Sequence, residues 1–212
     1  MDYADKRVCV FDFDGTLVDS MGAFADIAAD VMEKHYGLEF ATARRRYLET
    51  SGIPFFQQLE VIFPGRSENP KLADEFESRK LEGFFAEQYF SDVHETIDFL
   101  HVRGMLAVVS SNNFQYNVDD FMDRRPAAFD HRLGFKDGFA KGKDHFNYIM
   151  SKENVTPGQM VFVGDSLKDG ERAHGSDVAF IGRTGTFTRA QFLEQFPDIA
   201  VINNLIELKE IL

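Results

Sequence analysis

The stretch Arg7-Val8-Cys9-Val10-Phe11-Asp12-Phe13-Asp14-Gly15-Thr16 decides the fold. Val8 to Phe11 is a short apolar, β-branched run of the kind that forms a buried parallel strand. It stops on Asp12, and Asp14-Gly15 turns the chain away. Two carboxylates just past a strand's carboxyl end sit where open α/β sheets place their ligands. An Asp-Gly turn alone would explain Gly15 and one Asp. A calcium loop does not fit: counted from Asp12, Leu17 stands where the glycine belongs and Ala23 where the bidentate glutamate belongs.

Working outward, Met105 to Val109 is a second buried strand ending at Ser110-Ser111, and Gln159 to Val163 is a third ending at Gly164-Asp165-Ser166. Val178 to Ile181 is another, and Phe129 to Leu133 a weaker one. Helical spacing separates them: Val93–Arg103, Asn117–Arg124, His145–Lys152, Leu167–His174 and about Arg189–Phe196. Strands alternating with helices predict a Rossmann-like parallel sheet flanked by helices. Between Val18 and Phe90 only helical patterns occur, at Asp19–Tyr36, Ala41–Glu49, Phe55–Phe63 and Asn69–Phe90. The expected organisation is therefore an α/β core of residues 1–17 and 91–212 with an all-helical insertion at 18–90.

The 212 residues, 44% of them hydrophobic, suffice for such a core. The net charge of −12 argues against general nucleic-acid binding and against anionic membranes. No apolar run reaches the ~18 residues of a spanning helix. No secretory signal is expected from the charged start, and Cys9, the only cysteine, allows no intrachain disulfide. The expectation is a cytoplasmic globular protein.

In a parallel sheet the strand ends share one edge. That edge gathers Asp12 and Asp14, then Ser110, Ser111 and Asn112, then Asp165 and, one helical turn on, Asp169. The loop before His145 adds Lys141 and Lys143. Each has a plain structural reading: a strand end, a helix cap, a solvated lysine. Together they make a set of hard oxygen ligands without His or Cys, which suits Mg²⁺ and not zinc. A phosphate group would use every piece, needing cations and donors on its oxygens and a nucleophile in line with the leaving group.

These residues resemble the haloacid dehalogenase-like hydrolase superfamily. Its first motif, Asp-x-Asp-Gly-Thr, is Asp12-Phe13-Asp14-Gly15-Thr16. Its second is matched by Ser110, and its fourth, Gly-Asp-Ser-x-x-Asp, by Gly164-Asp165-Ser166-Leu167-Lys168-Asp169. The third, a lysine before a helix, falls near Gly142, between Lys141 and Lys143, with Lys141 preferred. The resemblance implies that Asp12 is the nucleophile forming an aspartyl-phosphate and Asp14 the general acid and base. It implies Mg²⁺ on Asp12, the Asp14 carbonyl and Asp165, with Asp169 ligating through water or orienting the lysine. Ser110, Ser111, Asn112 and Thr16 would bind the substrate.

Asp14 disfavours the dehalogenase branch, and Phe13-Asp14 disfavours the transport ATPases. A phosphatase of a small phosphorylated metabolite is expected; a β-phosphoglucomutase-like mutase and a non-catalytic phospho-ligand binder stay open. The 18–90 block resembles the family's small helical cap, with Thr50-Ser51-Gly52-Ile53-Pro54 as its candidate specificity loop. Arg44 to Arg46 read either as a contact for a second anionic group or, preferably, as a solvated helix face.

Overall fold

The computed structural model describes Tyr3, residues 5–84 and residues 86–212. They form two compact units, one of the described residues up to 18 together with 89–212, the other of those between 19 and 88.

The first unit is built on six parallel strands: β1 (Val8–Phe11), β2 (Leu106–Phe114), β3 (His131–Phe135), β4 (Met160–Gly164), β5 (Ala179–Arg183) and β6 (Ala200–Ile202). They lie side by side in the order β3-β2-β1-β4-β5-β6. Helices α5 (Val93–Val102), α6 (Gln115–Arg124), α7 (Lys143–Glu153), α8 (Leu167–His174) and α9 (Arg189–Gln195) make the crossovers. Every residue of β1 and β4 is buried, the signature of central strands covered on both faces. Val8, Val10, Val108, Phe146, Phe162 and Phe180 share one core cluster, each fully buried side chain contributing about 1.5–3 kcal/mol.

The strand order reverses between β1 and β4, which defines where a ligand crevice forms. Register fixes what faces it. Phe11 pairs with Val109 on β2 and Val163 on β4, so Asp12, Ser110 and Gly164 come next along three adjacent strands. The Asp12 amide closes that row by donating to the Val163 carbonyl at 2.9 Å.

Several details depart from the sequence reading, among them the helix expected over Asn69–Phe90, which ends at Phe84. Strand β2 runs on to Phe114, where the sequence suggested an end at Ser110-Ser111. It does so through an irregularity: Ser110 pairs with Leu133 and Phe114 with Phe135, so β2 carries extra residues over the same span of β3. Strand β3 begins two residues later than the pattern suggested, because Asp130 first ties to Ala107 through its own amide and carboxylate, each at 2.8 Å. The three-residue β6 is too short to carry a periodic signal.

The second unit holds α1 (Met21–Tyr36), α2 (Phe40–Glu49), α3 (Phe55–Ile62) and α4 (Asn69–Phe84). Gly37, in the left-handed conformation, ends α1, and the Glu39 carboxylate caps α2 by accepting the Ala41 and Thr42 amides. Tyr47, Phe55 and Phe76 pack with ring centroids 4.3–5.9 Å apart. Arg44 pairs with Asp26 at 2.7 Å, while Arg45 and Arg46 pair with Glu49, at 3.7 and 3.6 Å, on an exposed face. In the 50–54 loop, Thr50 donates to Gln58, which donates back to the Ile53 carbonyl.

Candidate active site

The site is assembled from strand ends of the first unit. Asp12 follows β1 and is buried. The turn after it needs Gly15, whose φ of 76° is left-handed. Arg183, the last residue of β5, reaches back to hold that turn, donating to the Gly15 carbonyl at 2.8 Å with its guanidinium over the Phe90 ring.

Lys141 stands at the centre. Its ammonium lies 2.6 Å from Asp12 Oδ1 and 2.6 Å from Asp169 Oδ1. The whole group is buried. Gly142, with φ of 100°, precedes the helix α7. Lys143 is the first residue of that helix and is exposed, outside the cluster. Of the two lysines, the fold therefore brings Lys141 to the carboxylates.

Past β4, Asp165 is buried, and its carboxylate accepts from the Thr186 hydroxyl. Ser166 caps α8: its hydroxyl donates to Asp169 Oδ2 at 2.8 Å and accepts the Asp169 amide. Asp169 is fully buried, with Arg172 3.3 Å from the Oδ1 already paired with Lys141. Carboxylate oxygens of Asp12, Asp165 and Asp169 lie within 4.8 Å of one another.

Charge is out of balance there. Burial pushes the Asp12 carboxyl up to about 6, with Lys141 pulling it down and Asp169 pushing it further up. Asp165 is held well above its usual range by burial and then by the Asp12 and Asp169 charges. Burial also works to raise Asp169, but Lys141 and Arg172 overcome it and hold this carboxyl low. Burial likewise opposes the Lys141 charge, and Asp12 and Asp169 more than restore it. A buried set with three carboxylates and one fully enclosed ammonium fits a divalent cation, and its all-oxygen donors fit Mg²⁺.

Ser110 and Ser111 are buried at the β2 end of the row. Thr16 Oγ1 lies 3.5 Å from Asp12 Oδ2, at the limit of a hydrogen bond. Asn112 points to solvent, and Asn113 is the asparagine that enters the site, donating to Asp14 Oδ2 at 2.7 Å. The strand's alternation past Ser111 puts 113 inward and 112 outward.

Sequence reasoning also missed Thr186, Arg183, Arg172 and His145. Thr186 lies in the Gly/Thr loop after β5, so counting one more strand end would have found it. Buried His145 on α7 sits with Nδ1 2.8 Å from Ser110 Oγ. Burial drops its ring to about 4, against an upward pull from the Gly134 backbone, so it is neutral near pH 7.

Comparison with known proteins bears on this arrangement. Residues 9–183 match the family of haloacid dehalogenase-like hydrolases. A phosphoglycolate phosphatase of Vibrio vulnificus is 27% identical, the match covering 100% of this chain and 98% of that protein. A haloacid dehalogenase-like hydrolase domain-containing protein of Arabidopsis thaliana is 28% identical over 86% of this chain and 69% of its own. Among solved structures, a haloacid dehalogenase-like family hydrolase from Streptococcus pneumoniae superposes with a TM-score of 0.81 at 19% identity, covering 97% of this chain and 98% of that one. CbbY from Rhodobacter sphaeroides, solved in complex with phosphate, gives 0.71 at 18% identity, covering 96% of each chain. With its matched span running from β1 to the end of β5, this chain belongs to the haloacid dehalogenase-like hydrolase family.

Proposed function

We propose that the protein is a Mg²⁺-dependent phosphatase that hydrolyses a small phosphorylated metabolite through an aspartyl-phosphate on Asp12. The observation that carries this reading is the buried Asp12–Lys141–Asp169 chain beside Asp165, with Ser110 next to Asp12 in the strand register. End-to-end similarity to phosphoglycolate phosphatases supports it and makes phosphoglycolate the first substrate to try.

In this reading Asp12 attacks phosphorus as a carboxylate. The bond from phosphorus to the leaving oxygen breaks, and Asp14 supplies that oxygen's proton. Asp14, now ionised, takes a proton from water as the water attacks the aspartyl-phosphate, releasing phosphate and restoring Asp12. Asn113 holds the Asp14 carboxylate for both steps. Ser110 and backbone amides receive the phosphoryl oxygens. Asp12, Asp165 and the Asp14 carbonyl would hold Mg²⁺, whose charge offsets the carboxylates and the phosphate. Asp169 has both oxygens engaged by Lys141, Arg172 and Ser166, which favours its role as the group that orients Lys141.

On the family resemblance, residues 18–90 act as the cap that selects the leaving group. No described helix is long and apolar enough to cross a membrane, and we place the protein in the cytoplasm.

Phosphate release from a phosphomonoester panel tests the function. Activity with Mg²⁺ should vanish with chelator and in Asp12→Asn. A folded, Mg²⁺-binding protein that turns over nothing on the panel would sink the hydrolase and favour the mutase or a binding protein.

A further inference from the structure

The phosphatase reading uses Ser110 and leaves His145 without a role. Both side chains are fully buried, on different elements, and meet through one 2.8 Å contact between Ser110 Oγ and His145 Nδ1. The His145 ring is braced by Phe139, centroids 4.5 Å apart, so it has little freedom to turn away. A hydroxyl has one proton to donate. If Ser110 gave it to His145, none would remain for a ligand.

The other ring nitrogen decides the direction. Nε2 is buried and has no hydrogen-bond partner within 3.5 Å among the described residues, and the pull of the Gly134 backbone on the ring is weaker than the effect of its burial. A proton on Nε2 would be an orphaned buried N–H, which folded proteins avoid more strictly than an unused acceptor. A proton on Nδ1 has Ser110 Oγ as its acceptor. That tautomer leaves the Ser110 proton uncommitted on the row of strand ends that holds Asp12.

Resting on the assignment of Ser110 as a phosphate-binding group, we propose that His145 is its positioning residue: Nδ1–H donates to Ser110 Oγ and turns the hydroxyl proton toward an oxygen of the bound phosphoryl group. His145 touches no reacting atom. It acts through Ser110 and contributes to binding phosphate in substrate and product alike.

The test combines a spectroscopic signature with phosphate affinity. In protein carrying ¹⁵N-histidine, the His145 signals, assigned by their loss in His145→Asn, should show Nδ1 protonated and Nε2 bare. Inorganic phosphate, titrated by calorimetry with Mg²⁺ present, should bind His145→Leu about tenfold more weakly than wild type, as for one lost hydrogen bond to a charged group. KM for a turned-over phosphomonoester should rise by a similar factor with a smaller change in kcat. His145→Asn, whose side-chain amide can stand near Nδ1 and donate, should recover most of the loss.

A bare Nδ1 in the wild type overturns the proposal, and so does equal phosphate affinity in wild type and a folded His145→Leu. Either result leaves the phosphatase standing. Should His145→Leu fail to fold, the tautomer and the His145→Asn affinity still decide. Wild type that neither binds phosphate nor turns over any ester removes the phosphatase reading and this proposal together.

Discussion

Lys141 and Lys143 flank one glycine, yet they differ in nearly every physical respect. Lys141 is enclosed by Asp12 and Asp169, while Lys143 is solvated on the first turn of α7. Removing Lys141 strands buried negative charge, so Lys141→Met should cost roughly 3 kcal/mol in urea unfolding and abolish phosphate release. Lys143→Ala should change stability by under about 0.5 kcal/mol and leave turnover intact; loss of turnover in folded Lys143→Ala would reverse the assignment. His145 makes a second, pH-dependent prediction. Unfolded, its ring titrates near 6.5; folded, burial holds it at about 4. The unfolded chain therefore binds the proton first as pH falls. The stabilisation is fully present above about 6.5 and is lost as pH falls toward 4, by an amount on the order of 3 kcal/mol. The stability advantage of wild type over His145→Leu should shrink between pH 7.5 and 4.5, and an advantage independent of pH would mean that the ring is not held neutral. The chemical residues at strand ends were legible because their types and order are local facts. His145 was not, since its meaning comes from a serine far away in sequence that only the β2–α7 packing brings near.

Strand β2 shows what separates an element's existence from its course. Its apolar centre announced it, but its extension to Phe114 depends on how it is accommodated beside β3, which no local pattern encodes. The accommodation rests on Gly134: a Cβ there would lie 2.6 Å from Gln115 Cα and 2.9 Å from the Asn113 carbonyl oxygen. Both neighbours are backbone, so neither can swing aside. Gln115 also ties this region down, donating to the Arg132 carbonyl and accepting the Gly134 amide. Gly134→Ala should therefore cost about 1–3 kcal/mol and lower kcat by shifting Asn113 away from Asp14. Asn113→Ala should lower kcat with little loss of stability. If Gly134→Ala keeps wild-type kcat while losing stability, the irregularity serves packing and not the placement of Asn113. The same contrast explains the helices: α1 to α4 follow from their apolar spacing and their Gly and Pro stops, whereas their arrangement depends on ring contacts such as Tyr47–Phe55–Phe76.

For the molecule as a whole, a net charge of −12 and a buried carboxylate cluster both make cations stabilising, for different reasons that can be separated. Surface self-repulsion is relieved by any salt, through screening. The cluster of Asp12, Asp165 and Asp169 demands charge inside the fold, where screening does not reach. A cation bound there stabilises only the folded state. At a hundredfold excess over its Kd it should add about 2.7 kcal/mol. For a chain of this length each kcal/mol is worth about 2–4 °C. Millimolar Mg²⁺ should accordingly raise Tm by roughly 5–10 °C, and chelator should reverse the rise. Sodium chloride at matched ionic strength supplies the screening alone and should give a much smaller shift. Asp165→Asn removes one proposed ligand while leaving the surface charge almost unchanged, so it should lose the Mg²⁺-specific part and keep the salt response. Equal shifts with Mg²⁺ and matched sodium chloride would place the effect on the acidic surface, and the carboxylate cluster would then not be a metal site.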